Sequence, residues 1–373
     1  MITLVALTVN QRATILLLIP HLGGGGAERI AALLAVRLDP EKYQVHLGLV
    51  TAGNSADIAL PPQVTVHALG ARRTRYAMLR ICRLVRRLRP DVLLCGMAHL
   101  NLAVLLLRPF FPRQTRVLVR QNSAPRAGDA GMLSTLLYRV LYRRADAVVC
   151  QSSIMAGEVA RTARWTANLH VLPNPVDLKT IRSRSQTGPS HWHGPGPHLL
   201  AVGRLAPEKG FDLLLRATAL LRYEFRSADL AILGAGHEEE RLRALTRKLA
   251  LERSVRFAGH VPEPEDWYPG ASVFVLSSLR EGVPNALLEA AAAGLPIVAT
   301  PADGGLPELL EGKEGVWLAD DISAAALERA IVCALTALRV GETFRHSWIE
   351  EFRTERAIPR FEALIDTILA GVP

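Results

Sequence analysis

Near its start the chain runs through a short apolar segment, "ATILLLIP" (13–20), and a turn of four consecutive glycines in "HLGGGGAER". A stretch with helical spacing, "RIAALLAVRL", and a second strand-like run, "YQVHLGLV" (43–50), follow. Short apolar runs without strict alternation fit strands buried on both faces, and the helical stretch between them fits a crossover. This βαβ unit constrains the fold more than any other feature, because parallel strands need a crossover and the crossover covers one face of the sheet. The alternation continues through "DVLLCG" (91–96), "TRVLVRQN" (115–122) and "DAVVCQSS" (146–153), and "VLPNPVD" (171–177) closes the series. A Ser-, Gly-, Pro- and His-rich stretch, "RSRSQTGPSHWHGPGP" (182–197), reads as a linker.

A second series of the same kind then begins. "PHLLAVGRL" (197–205), "ADLAILGAG" (228–236), "SVRFAGHV" (254–261), "ASVFVLSS" (271–278) and "PIVAT" (296–300) read as strands. "FDLLLRATALL" (211–221), "EEERLRALTRKLA" and "PNALLEAAAAG" (284–294) read as helices, and helical patterns finish the chain. The expected fold class is α/β: two open, mostly parallel, doubly wound sheets whose ligand sites lie at the C-terminal strand ends. Facing each other, they would enclose a deep cleft. A chain of 373 residues is too long for one ordinary core and sufficient for two. The expected division is 1–183, a linker over 184–197, 198–355, and a last segment, 356–373, able to cross back onto the first domain.

Charge separates the halves. Lys and Arg outnumber Asp and Glu by 25 to 9 over residues 1–185, and are outnumbered 19 to 26 over 186–373. A basic first half suggests a polyanionic or phosphorylated partner there. "RRTRYAMLRICRLVRRLR" (72–89) concentrates eight arginines without an acid. On a helical wheel Met78, Ile81, Cys82, Val85 and Leu88 gather on one side, and Arg73, Arg80, Arg83 and Arg87 on the other. Such a helix suits an anionic membrane surface, though a helix packed on a core with a solvated basic face has the same pattern. Nucleic acid is not expected, since no recognition motif is present and only 5% of residues are aromatic, too few to stack on bases. Cys82, Cys95, Cys150 and Cys333 show no CxxC spacing, which fits a reducing compartment and no zinc or disulfide framework. The first residues, "MITLVALTVNQR", lack a basic leader, so no secretory signal is expected. "VLLCGMAHLNLAVLLL" (92–107) is too short and too interrupted for a membrane span and reads as strand, loop and helix start.

The most informative short segment is "EGVPNALLEA" (281–290). Pro284 fits a helix start, so Glu281 falls in a strand-to-helix loop and Glu289 about one turn inside the helix. The helix N-terminus between them offers open N–H groups and a positive dipole end, an anion site. Glutamates on either side of it can accept hydrogen bonds from hydroxyls flanking the anion. A nucleoside diphosphate sugar has that layout: ribose diol, diphosphate, sugar hydroxyls. Alone, the spacing is unremarkable; a loop glutamate and a helix glutamate paired with Arg or Lys would look the same. "GRLAPEKGFDLL" adds Arg204 after a strand and Lys209 at a helix entry, two cations able to neutralise a diphosphate, although loops carry solvent-facing charge in any case.

Taken in order, "HLGGGGAERI", "VLPNPVD", "GRLAPEKGFDLLLRA", "AILGAGHEEERL", "VRFAGHV" and "EGVPNALLEAAAAGLPIVAT" resemble the retaining glycosyltransferases of family 4, which have the GT-B fold. The resemblance spans nearly the whole chain and is strongest over 199–305. It implies that Arg204 and Lys209 contact the donor diphosphate, that Glu281 binds donor-sugar hydroxyls near the reacting carbon, and that Glu289 holds the ribose diol. It further implies that the backbone of Gly282 and Asn285–Leu287, including Ala286, faces the phosphates, that His260 and Val261 lie against the base, and that Gly24, Gly25 and Gly26 form the loop that lets the backbone approach the donor and acceptor from the other domain. Where many relatives carry a histidine after the "TRVLVRQN" strand, this chain has Gln121 and Asn122; His99, in the preceding strand-end region, is the alternative cleft-facing candidate.

In the front-face mechanism the resemblance implies, the leaving diphosphate takes the acceptor proton, so catalysis rests on the cations and the helix end. No metal and no cofactor is expected; the donor is a substrate. The expected function is transfer of a hexose or N-acetylhexosamine from a nucleoside diphosphate sugar, a UDP sugar in the first instance, to a carbohydrate or polyprenyl-lipid-linked acceptor. The expected setting is polysaccharide, lipopolysaccharide or cell-envelope synthesis on the cytoplasmic side, at the inner membrane face. The alternatives are a nucleotide-sugar epimerase of the same fold, which would turn over without acceptor, and a non-catalytic membrane-associated partner subunit. "HWHGPGPH" (191–198) reads as solvated linker histidines rather than a metal site, and "GAGHEEE" lacks the third glycine of a dinucleotide fingerprint, because Glu239 takes its place.

Overall fold

The computed structural model describes residues 12–23, 25–51, 60–122, 132–187, 191–337 and 344–371. The N-terminal stretch read above as free of a leader is, up to residue 11, outside the described residues, as is Gly24. The first half is one parallel sheet of β1 (Ala13–Ile19), β2 (Tyr43–Leu49), β3 (Thr65–Ala68), β4 (Val92–Gly96), β5 (Arg116–Gln121), β6 (Ala147–Cys150) and β7 (Leu169–Val171). Its spatial order is β3-β2-β1-β4-β5-β6-β7. The connecting helices are α1 (Gly26–Arg37), α2 (Thr74–Leu88), α3 (Ala98–Leu107), α4 (Met132–Leu141) and α5 (Ser153–Ala163). Successive residues of a strand point to opposite faces, so each strand feeds two cores. Leu16, Leu93, Val117 and Val148 pack under α2, α3 and α5, while Ile15, Leu17, Val92 and Leu94 pack under α1.

A helix α6 (Leu178–Thr187) leads into the second half. There β8 (His198–Val202), β9 (Asp229–Leu233), β10 (Val255–Gly259), β11 (Val273–Leu276), β12 (Ile297–Ala299) and β13 (Val316–Leu318) form a six-stranded parallel sheet in the order β10-β9-β8-β11-β12-β13. Its helices are α7 (Phe211–Leu221), α8 (Glu239–Lys248), α9 (Asn285–Ala292), α10 (Leu306–Leu310) and α11 (Ala324–Ala337). The last helix, α12 (Thr354–Leu369), returns to the first half: Ile358, Phe361, Leu364, Ile365 and Ile368 complete the core beneath α1.

Three readings change. The strands β3, β7 and β13 carry no strong sequence signal because they are short and partly exposed, at or near the sheet margins. The linker is helical as far as Thr187, and within "HWHGPGPH" Trp192 and Gly196 are buried while His193, Gly194 and Pro195 stay exposed. Trp192 is buried, its indole N–H donates to the Trp267 carbonyl at 3.1 Å, and its ring stacks on His198 with centroids 5.0 Å apart. Burying an indole releases more apolar area from water than a loose Pro/Gly turn can offset in entropy. The apolar stripe of 72–89 faces inward: Ile81 and Val85 are fully buried, with Met78 and Leu88 packed on the same core. What α2 presents outward is its arginines with Tyr76 and Leu79. Residues 92–107 divide into β4 and α3, and among the described residues no helix is long and apolar enough to cross a membrane.

Phe361 is the largest α12 side chain in that shared core and lies 2% exposed. Phe361→Ala should cost about 3–5 kcal/mol of stability by deleting a buried ring, read as an earlier urea midpoint followed by far-UV circular dichroism.

Candidate active site

Strand order reverses between β1 and β4 in the first sheet and between β8 and β11 in the second. Chains leaving neighbouring strands at such a point go to opposite faces and leave a crevice at the C-terminal ends. The loops after these four strands hold Gly25 and Gly26, then His99, then Arg204 and Lys209, then Glu281 to Asn285. The two crevices face each other. The Asn285 amide donates to the Gly26 carbonyl at 2.8 Å, and the Val283 N–H donates to Gln151 Oε1 at 3.3 Å.

On the side of the second sheet the loops after β8 and β11 are stitched together. The Leu279 N–H donates to the Glu208 carbonyl at 2.9 Å, and the Ser277 hydroxyl donates to the Lys209 carbonyl at 2.9 Å. Between them sits Gly210, with φ +60°; a Cβ there would fall 2.1 Å from the Ser277 carbonyl oxygen. Only glycine combines that left-handed backbone with so close an approach. The result brings Lys209 Nζ onto Glu281 Oε1, which also accepts from the Ser278 hydroxyl at 2.9 Å. An ammonium has three protons, so Lys209 keeps donors for a second anion while holding Glu281 in place. Arg204 is exposed and pairs with Glu208 at 2.6 Å, within reach of the same crevice mouth but outside its floor.

Helix α9 starts at Asn285 with Pro284 as its N-cap, and no side chain caps it. Its first N–H groups, at Asn285, Ala286 and Leu287, therefore keep their capacity for an anion. Leu287 is fully buried, so this residue offers backbone and not side chain. Gly282 lies against Met155 and Gln151 of the opposite domain, where a Cβ would meet Met155 Cε at 2.7 Å. Glu289 is 8% exposed. Its Oε2 accepts from the Tyr268 hydroxyl at 3.3 Å and from Arg29 Nη1 at 3.3 Å. Burial raises its pKa; Arg29 opposes the rise, and the neighbouring Glu265 adds to it. His260 and Val261 follow β10, and His260 borders a cavity of about 300 Å³ between the domains with Arg29, Arg184, Glu263 and Glu265 in its wall.

On the other side, Gly26 has Asn285 against it, and a Cβ would lie 2.9 Å from the amide nitrogen. At Gly25 a Cβ would lie 2.1 Å from Glu28 Oε2, so this glycine admits a buried acid to the cleft margin. His99 occupies the first turn of α3 and is largely exposed; the burial it has lowers its pKa and the charge of Glu28 raises it. Met97, just before that helix, holds φ +106°, a strained backbone for a side-chain-bearing residue at the edge of the crevice. Asn122 lies at the cleft, its Oδ1 accepting from Gln151 at 3.1 Å, and its buried amide nitrogen meets no partner among the described residues. Gln121 does not line the cleft. Strand alternation turns it into the core, where it is 1% exposed and accepts from the Tyr142 hydroxyl at 2.7 Å.

Several residues that the sequence did not single out join the site. Arg29 and Glu265 form an ion pair at 2.5 Å across the cleft. Asn174, from the "VLPNPVD" segment, donates to Asn285 Oδ1 and to the Val283 carbonyl, and accepts from the buried Arg120. Burial pushes the Arg120 guanidinium down to about 10. Asn174 and Arg29 lie in segments quoted for the resemblance, "VLPNPVD" and "HLGGGGAERI", whereas Glu265 lies outside them; nothing in the chain pairs Arg29 with Glu265, because the two meet only across the cleft. Among the described residues no group of three His, Cys, Asp or Glu gathers as metal ligands do.

Gly210→Ala should lose at least about 1–2 kcal/mol from the left-handed backbone alone. Thermal unfolding would register it as a lowered midpoint.

Residues 24–180 match the family model described as Glycosyltransferase Family 4, and residues 196–337 the one described as Glycosyl transferases group 1. An uncharacterized glycosyltransferase of Haemophilus influenzae is 27% identical over 313 residues, covering 79% of this chain and 82% of that one. A Campylobacter jejuni protein named N-acetylgalactosamine-N,N'-diacetylbacillosaminyl-diphospho-undecaprenol 4-alpha-N-acetylgalactosaminyltransferase is 27% identical over 310 residues, with shares of 79% and 82%. A lipopolysaccharide core biosynthesis glycosyltransferase of Rhizobium meliloti is 26% identical over 286 residues, with shares of 74% and 76%. In fold, the Anabaena protein HepE in complex with UDP aligns with a TM-score of 0.73 at 15% identity, over 97% of this chain and all of that one. Sucrose-phosphate synthase of Thermosynechococcus elongatus aligns with a TM-score of 0.79 at 20% identity, over 96% and 100%. With both of its parallel-sheet domains matched, in the order and at the segments that form the cleft, the chain belongs to the glycosyltransferases of family 4 and has the GT-B fold.

Proposed function

We propose that this protein transfers a hexose or N-acetylhexosamine from a UDP sugar to a carbohydrate or polyprenyl-lipid-linked acceptor, with retention of configuration and without a metal. The observation that carries this reading is the convergence of Lys209, Glu281, the uncapped start of α9 and Glu289 at one switch-point crevice. Glu281 and Glu289 each have one oxygen held by protein donors and a second that no described residue hydrogen-bonds. The second oxygens suit sugar hydroxyls at one end and a ribose diol at the other. The Campylobacter relative's name specifies a diphospho-undecaprenol acceptor and the Rhizobium relative's a lipopolysaccharide, and HepE was crystallised with UDP. These support a nucleotide-sugar donor and cell-envelope synthesis here.

In the proposed reaction the anomeric carbon–oxygen bond to the diphosphate breaks and the acceptor oxygen bonds to that carbon on the same face. The acceptor proton passes to the departing phosphate oxygen. Lys209, the α9 N–H groups and Arg204, turning from Glu208, stabilise the charge that develops on the leaving group. Asn122 and Glu28 then stand on the acceptor side, together with His99.

Attachment to an anionic membrane is part of the proposal. It rests on the arginines that α2 turns outward beside the exposed Tyr76 and Leu79, and not on an apolar helix face. Flotation should show binding to vesicles containing anionic lipid and little to neutral ones, and Arg83→Glu with Arg87→Glu should weaken it. Equal binding to both vesicles, or to neither, removes this part.

Bound donor stabilises by mass action, by about 2.7 kcal/mol at a hundredfold excess over Kd, so a thermal-shift panel of nucleotide sugars should single out UDP sugars. Glu289→Ala should weaken donor binding by about 1.5–3 kcal/mol in calorimetry, the range of hydrogen bonds to charged groups. Unchanged affinity would count against the assignment.

A further inference from the structure

Arg29 belongs to the N-terminal domain, on the first turn of α1, yet both of its ionic partners are in the other domain. Nη2 lies 2.5 Å from Glu265 Oε1 and Nη1 lies 3.3 Å from Glu289 Oε2. Both carboxylates are 8% exposed. Glu265 sits in the turn Pro264–Trp267 and Glu289 in α9, so the C-terminal domain sets two acids against one guanidinium, and both are buried with the domains in contact. The other groups facing them are accounted for. The Tyr268 hydroxyl donates to Glu289 and is neutral. Arg184 of α6 is engaged with Glu263 at 2.6 Å and Asp266 at 3.4 Å. His260 stands across the cavity beside them. The cation that both acids share therefore comes from across the cleft.

We propose that Arg29 is the positioning residue that readies Glu289 for the donor ribose, so that the nucleoside end of the donor site is completed only when α1 of the opposite domain is in contact. The proposal rests on the nucleotide-sugar reading above. Two carboxylates this close in a desolvated site do not both remain ionised without a cation; one takes up a proton. A protonated Glu289 has fewer acceptor positions and makes weaker hydrogen bonds to the two hydroxyls of a ribose than the carboxylate does. Arg29 supplies the missing charge. It also fixes Oε2 together with Tyr268, which leaves Oε1 for the ligand. The ordinary effects on Glu289 run the same way: burial drives it toward the neutral form, Glu265 reinforces that, and Arg29 opposes it. Domain contact and donor binding become one coupled equilibrium, because the residue that charges the ribose site arrives with the other domain.

The test compares wild type, Arg29→Lys, Arg29→Met and the double variant Arg29→Met with Glu265→Gln. Kd for UDP-glucose and UDP-N-acetylglucosamine is measured by calorimetry from pH 5.5 to 8.5, with folding checked by circular dichroism. These probes keep their charge over that range, which UDP itself does not. Arg29→Met should bind at least tenfold more weakly than wild type at pH 6, and the ratio should shrink toward pH 8.5 as Glu289 ionises unaided. Arg29→Lys should fall between, and the added Glu265→Gln should restore most of the affinity at pH 6 by removing the competing charge. A deficit in Arg29→Met that is the same at every pH, or none at all, overturns the proposal. Carbon-13 NMR of the carboxylates, with Glu289 assigned through Glu289→Gln, gives a readout independent of any donor. Its titration should move at least one pH unit higher in Arg29→Met, and an unmoved titration also overturns the proposal. Failure of wild type to bind either UDP sugar would sink the UDP-sugar reading instead, and the NMR titration would still decide the role of Arg29.

Discussion

Everything in this molecule hangs on two reversals of strand order. At β1/β4 and at β8/β11 successive crossovers leave in opposite directions, and the backbone opens where they part. Each groove is made by topology and would persist through wide changes of side chain. What turns the grooves into a candidate site is the small set of side chains that follow the four strands, and the loops after β8 and β11 are held to each other by hydrogen bonds and a glycine contact. Gly210 is the sharpest case: its left-handed backbone and its contact with Ser277 set where Lys209 stands. The rigid part of the site thus comes from backbone geometry, and the charged part is suspended from it.

The charges are arranged so that each of the candidate site's ions has a partner. Lys209 is held by Glu281, Arg204 by Glu208, and Glu289 by Arg29. The buried members matter most, since an unpaired charge in the interior is strongly destabilising whereas an exposed pair contributes little. Arg204, exposed, can exchange its partner at small cost. Glu289, buried, cannot, and so it shares an arginine with Glu265 across the domain boundary. Arg120 meets the same problem differently. It is buried without a carboxylate partner among the described residues, bonded to Asn174 and lying over the ring of Phe361.

Much of the second half's share of the candidate site could be read from the chain because its signals are local. A strand, a glycine and a helix start lie within a dozen residues of Lys209, and Glu281 and Glu289 sit eight apart around one helix N-terminus. Periodicity located the long central strands, since they are buried on both faces; β3, β7 and β13 escaped it, being short and half wet. The wheel for 72–89 found the right moment and left its direction open, because a helix on a membrane and a helix on a core have identical patterns. Arg29 and Glu265 are 236 positions apart, and no window on the sequence could pair them. The same holds for Gln121, whose turn into the core is decided by one step of strand alternation at the end of β5.

The return of α12 to the first domain has a consequence for how the chain comes off the ribosome. The first sheet emerges before the second, yet the face it presents beneath α1 lacks Phe361, Leu364, Ile365 and Ile368 until the second sheet has been made. Through the making of the entire second domain, that greasy surface is uncovered or shielded by a helper. Of the two domains, the one translated before the other is sealed after it, and vectorial folding here runs out and then doubles back.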